Sequence, residues 1–107
     1  MIDIDFGSPS TIDFAGINKV ALSVLPALVA RWLPDGRTVG SEYVVRNPKR
    51  TDHKAGSFKI NLRTGLWADF SSGDRGGDPI SLVAFVHSIG QGEAAQKLGA
   101  MLGLDHD

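Results

Sequence analysis

The apolar residues of this chain hold a helical period as far as Trp32 and then abandon it, and that switch limits the folds open to the chain more than any other feature. Ile17, Val20, Ala21, Val24, Leu25, Leu28, Val29 and Trp32 recur at i, i+3, i+4 and i+7, the rhythm of a helix with one buried face. Pro26 interrupts that face by removing a backbone donor and crowding the preceding turn, so a kink or two shorter helices are expected, the second capped by Ser23. Pro34-Asp35-Gly36 is a turn signal, and beyond it the pattern becomes extended. Glu42 to Arg46 reads as a strand, and Ser57 to Leu62 alternates so that Phe58, Ile60 and Leu62 oppose Lys59 and Asn61. Arg63-Thr64-Gly65 closes a hairpin whose returning strand is Leu66 to Phe70.

After a Gly-rich turn the helical period returns. Asp78 suits an N-cap and Pro79 the first helical position, while Ile80, Leu82, Val83, Phe85 and Val86 supply an apolar face that ends at Gly90. A last helix from about Gly92 to Leu102 turns Ala94, Ala95, Leu98, Met101 and Leu102 inward. The expected class is α+β: a kinked N-terminal helix, a small three-stranded antiparallel sheet and two C-terminal helices. Residues 1–14, with acids and scattered apolar residues but no period, read as a flexible acidic arm, and 15–107 as one domain.

The chain has no Cys, which excludes disulfides and thiolate-bound zinc or iron-sulfur clusters, and its three His are far apart at 53, 87 and 106. No metal and no cofactor is expected. Asp52, Asp69, Asp74 and Asp78 each have a plainer role, in a turn, at a sheet edge, in a loop and at a cap, than as magnesium ligands. Ser71, Ser72 and the histidines form no nucleophile–base–orienter set, so no catalytic residue is nominated. The Gly73 to Asp78 turn lacks the Gly-Lys-Ser/Thr ending of a P-loop. No apolar run approaches the roughly 18 to 20 residues of a membrane span, and the first residues lack a basic leader, so a cytoplasmic protein with no membrane partner is expected.

Lys and Arg total 11 against 12 Asp and Glu, yet the charge is segregated. Residues 46–63 hold Arg46, Lys49, Arg50, Lys54, Lys59 and Arg63 against Asp52 alone. With Arg75 in the Gly-rich turn, and Trp67 or Tyr43 as a stacking surface, these cations form a candidate single-strand nucleic-acid platform.

A resemblance strengthens that reading. Leu33-Pro34-Asp35-Gly36, Asn47-Pro48-x-Arg50-x-Asp52, Gly56-Ser57-Phe58-Lys59-Ile60-Asn61-Leu62, Thr64-Gly65-x-Trp67-Ala68-Asp69-Phe70, Gly73-Asp74-x-Gly76-Gly77-Asp78 and Glu93-Ala94-Ala95 occur in order. Together they resemble the N-terminal module of phage- and plasmid-type DNA primases and primase-helicases, which is similar to the zinc-ribbon domain of bacterial-type primases. Gly56-Ser57-Phe58 matches the ribbon's Pro-Ser-Phe strand, and Trp67 to Phe70 matches the strand that carries its third ligand. Asp69 and Ser72 stand where its second cysteine pair would be, and Tyr43 to Asn47 holds neither Cys nor His, so the resemblance implies a zinc-less ribbon. It further implies a noncatalytic module that binds single-stranded DNA template during replication and priming in a phage or mobile element. A primase or helicase catalytic domain, or another replication protein, would be its partner. The alternative is a protein-interaction module, docking on a replication or host-defence protein through the acidic arm and the kinked helix.

Overall fold

The computed structural model describes residues 12–49 and 57–104. Two helices, α1 (Phe14–Ser23) and α2 (Leu25–Trp32), lead into five strands, β1 (Arg37–Val39), β2 (Glu42–Val45), β3 (Phe58–Asn61), β4 (Trp67–Asp69) and β5 (Arg75–Gly76), followed by α3 (Pro79–His87) and α4 (Gln91–Met101). The class is α+β. The sheet is an antiparallel meander in the order β1-β2-β3-β4-β5.

Five strands replace the expected three, and the two additions are the sheet's edges. All three residues of β1 are exposed, so no alternation announces them. The two-residue β5 lies within the Gly-rich turn and is recognisable only by its pairing with β4.

The Pro26 interruption resolves into two separate helices whose axes bend by 86°. Val24, not Ser23, is the N-cap of α2, and it makes no side-chain cap bond. The Ser23 hydroxyl instead donates to the Val20 carbonyl at 2.6 Å, which commits it to the last turn of α1. At the other end of α1 the Gly16 N–H donates to Asp13 Oδ1 at 2.9 Å, so the fold begins before residue 15. The helix starts at Phe14, which is exposed and adds nothing to the apolar face. The rest of the expected arm, residues 1–11, lies outside the described residues.

Asp78 caps α3 through a complete capping box. Asp78 Oδ1 accepts from the Ser81 N–H at 2.8 Å, and the Asp78 N–H donates to Ser81 Oγ at 3.3 Å. Ser88, in the left-handed conformation at φ 57°, ends α3 two residues before the expected Gly90. Along α4, Ala94, Ala95, Leu98 and Gly99 are buried, with Gly99 facing the Ile17 side chain of α1. Met101, expected inward, falls to the rim of that face and is exposed.

One core unites these elements. Tyr43, Val45, Phe58, Ile60 and Trp67 from the sheet join Ile17, Ala21, Leu25, Leu28 and Val29 of the first two helices, and Ile80, Leu82, Val83, Ala94, Ala95 and Leu98 of the last two. The sheet therefore has a helix-covered face and a second face on which none of the strand residues is buried. Among the described residues no single helix is long and apolar enough to cross a membrane.

Candidate nucleic-acid interface

Because side chains alternate along a strand, burying Tyr43, Val45, Phe58, Ile60 and Trp67 turns their neighbours outward. Register then determines which outward residues meet. Arg37 of β1 pairs with Val44, Val44 with Lys59, Lys59 with Ala68, and Ala68 with Arg75. A single row perpendicular to the strands thus reads Arg37, Val44, Lys59, Ala68, Arg75, a cation on every second strand with a short apolar side chain between. With strands about 4.8 Å apart, successive cation-bearing positions are about 10 Å apart. Arg46, the residue after β2, is exposed and continues the outward parity of Val44.

Phe70, immediately after β4, belongs to the same region. Its N–H donates to the Ser57 carbonyl at 3.0 Å, extending the β3–β4 pairing by one step. Its side chain is 75% exposed, and the Lys59 ammonium lies 5.8 Å from its ring centroid. An exposed aromatic beside a cation row is the composition expected of a single-strand platform, but it is not built from the aromatics named for it above.

Trp67 and Tyr43 belong to the core. Trp67 is 5% exposed, packs edge-on to Phe58 with centroids 5.9 Å apart and lies 4.9 Å from Phe85. Its indole N–H donates to Ser81 Oγ at 2.9 Å, and a Cβ on Gly76 would collide with both groups. Tyr43 is equally buried and donates its hydroxyl to the Leu33 carbonyl at 2.6 Å. Neither ring offers a face to a base.

The cations also separate. Lys59, Arg75 and Arg46 share the open face. Lys49 does not: its ammonium lies 5.4 Å from the Phe85 ring and bonds the Ser88 hydroxyl, at the C-terminus of α3. A positive charge there complements the helix dipole. Arg63 is exposed in the β3–β4 turn, where Asn61 Oδ1 accepts from the Arg63 and Thr64 N–H groups. Arg50 and Lys54 lie outside the described residues. Arg37 and Phe70, absent from the expected set, join it.

Beneath Arg46 and Phe70 sits a buried polar knot. Asn47 and Asp69, 2% and 1% exposed, are the buried polar side chains among the described residues. Asp69 Oδ2 accepts from Asn47 Nδ2 at 2.7 Å, and Oδ1 accepts from the Ser71 N–H at 2.7 Å and the Ser72 N–H at 3.3 Å. Asn47 Oδ1 accepts in turn from the Lys49 N–H at 2.9 Å. Burial alone would raise the Asp69 pKa. The hydrogen bonds from Asn47, Ser71, Ser57 and Ser72 outweigh it and hold the carboxyl below its ordinary value. Each half of the knot is one residue from an exposed member of the platform, Asn47 from Arg46 and Asp69 from Phe70.

Other chemistry finds little room. The amides that open α3 are occupied, Ile80 N–H by Asn18 Oδ1 at 2.9 Å, Ser81 N–H by Asp78 Oδ1 and Leu82 N–H by the Asp78 carbonyl at 3.1 Å, so these three are not free to hold a phosphate. Among the described residues no three His, Asp or Glu side chains converge as a metal site. No protein-family model and no curated protein matches the chain.

Proposed function

We propose that this chain is a noncatalytic nucleic-acid-binding module that presents single-stranded DNA template during priming in a phage or mobile element, with catalysis residing in another domain or chain. The observation that carries the reading is the row of Arg37, Lys59 and Arg75 on the sheet face that the helices leave open. Cations repeated across a smooth floor of Val44 and Ala68 suit a polyanion.

The resemblance to the primase zinc ribbon supports the same reading. Asp69 and Ser72 occupy its second cysteine pair's positions, and the Asp69 carboxylate ties together the loops after β2 and β4 through Asn47, Ser71 and Ser72. By that resemblance, a hydrogen-bonded brace would do the work that thiolate ligands do in the ribbon.

The test is fluorescence anisotropy with a labelled single strand at several salt concentrations. If Arg37, Arg46, Lys59 and Arg75 each neutralise one phosphate, log affinity should fall against log salt with a slope of about −3. A flat response, or binding untouched by charge reversal at Arg37 and Arg75, would move the chain to the protein-docking alternative.

A further inference from the structure

We propose that the open face takes an unpaired strand laid across the β-strands, with one base stacked on Phe70, and that it holds this strand without preference among the bases. The inference rests on the nucleic-acid reading above and specifies how that site selects its ligand.

The direction follows from register. Arg37, Lys59 and Arg75 lie along one line perpendicular to the strands, so a backbone that meets all three must run across the sheet. The line covers four inter-strand steps, about 19 Å. That suits a short site, near the lower end of the roughly 4 to 16 nucleotides that a small domain covers.

The selection of unpaired bases follows from Phe70. Three quarters of this residue is in solvent although it directly follows a strand whose Trp67 and Asp69 are buried. Within a duplex both faces of a base are covered by its neighbours, so an exposed ring gains nothing there. An unpaired base can leave its stack for the ring while Lys59, at the same ring, meets the adjoining phosphate.

Indifference to sequence follows from what else the face holds. Its floor is Val44 and Ala68, which have no hydrogen-bonding side chains. Asn61, an outward polar residue of β3, spends its amide oxygen on the Arg63 and Thr64 N–H groups of the hairpin turn. Glu42, an outward carboxylate, is the strand partner of Asn61 and so lies two residues along from the cation row, in which cations meet phosphates while the Phe70 ring stacks on any base.

The experiment compares wild type with Phe70→Ala and Phe70→Trp against dT12, dA12, a mixed 12-mer and a 12-base-pair duplex, at one fixed salt concentration and along a salt series. Phe70→Ala should weaken single-strand binding by about 5- to 100-fold, leave duplex binding alone and keep the salt slope, while Phe70→Trp retains affinity. A 5-iodouracil-substituted strand should photocrosslink at residue 70. The three single strands should differ by less than about tenfold, since stacking tolerates every base. Unchanged single-strand binding in Phe70→Ala, alongside weakened binding in Arg37→Glu, would overturn the stacking inference and leave the broader reading standing. A larger spread among the single strands would overturn the indifference to sequence. Failure of wild type to bind any of these oligonucleotides at low salt would overturn the broader reading itself, and this inference with it.

Discussion

Trp67 and Phe70 stand three residues apart along one short strand and its exit, and the fold treats them oppositely. Trp67 is enclosed by Phe58, Phe85 and Gly76 with its one polar atom bonded to Ser81, whereas Phe70 projects exposed from the other face with the Lys59 ammonium 5.8 Å from its ring centroid. Their chemistry is similar, so residue type cannot explain the difference. Parity explains it: an odd separation along alternating backbone places the two rings on opposite faces. An aromatic near basic residues marks a binding face only when its parity matches theirs.

The contrast can be broken or sharpened by substitution. The largest effect should come from the buried face. Trp67→Ala should cost about 3 to 5 kcal/mol in urea unfolding, whereas Phe70→Ala should stay within about 0.5 kcal/mol of wild type. Equal costs would erase the distinction between the faces.

Next comes the knot. Asp69→Ala leaves the Asn47 amide and two backbone N–H groups without their acceptor and should cost about 1 to 3 kcal/mol. Because the folded-state pKa of Asp69 lies below its unfolded value, its contribution is complete above the unfolded carboxylate range and is lost as pH falls through the lower folded value. Urea midpoints from neutral pH down to about pH 3 should therefore decline, and Asp69→Asn should remove part of that decline.

On the open face, Arg37→Glu with Arg75→Glu should leave the unfolding midpoint nearly unchanged. Removing these two contacts should flatten the salt slope of single-strand binding by about 0.7 for each. The smallest effect belongs to Lys49→Ala, expected to cost at most about 1 kcal/mol through its Phe85 contact and to leave DNA affinity as it was. A large loss of affinity there would place the ligand on the helical side of the molecule.

What the sequence revealed divides along the same line. The buried faces of α1, α2 and α3 were legible because periodicity records burial, and Asp78-Pro79 announced α3 through its capping chemistry. The expected cation set was grouped by nearness along the chain, and of its members the structure puts Lys59, Arg46 and Arg75 on the open face. Lys49, ten residues from Lys59, turns to α3, while Arg37, twenty-two residues from Lys59, lies in its row. Arg37 was hidden because a fully exposed edge strand has no alternation to read, and only the tight β1–β2 connection through Gly40, at φ 63°, returns it to the sheet. Phe70 carried a usable signal, since counting parity from the inward Phe58 across the hairpin sends it outward. The Asn47–Asp69 knot carried none, because nothing local to either residue points to a partner twenty-two positions away.

That knot also determines what the molecule is sensitive to. Loops clasped by cysteine and zinc come apart when the metal is chelated or the sulfur oxidised, so their architecture follows the metal supply and redox state of their surroundings. A carboxylate gripping an amide and backbone N–H groups has no electron to give up and no ion to surrender. Arg46 and Phe70 are thus mounted on a brace indifferent to oxidant and chelator alike, and the condition that loosens it is acidity.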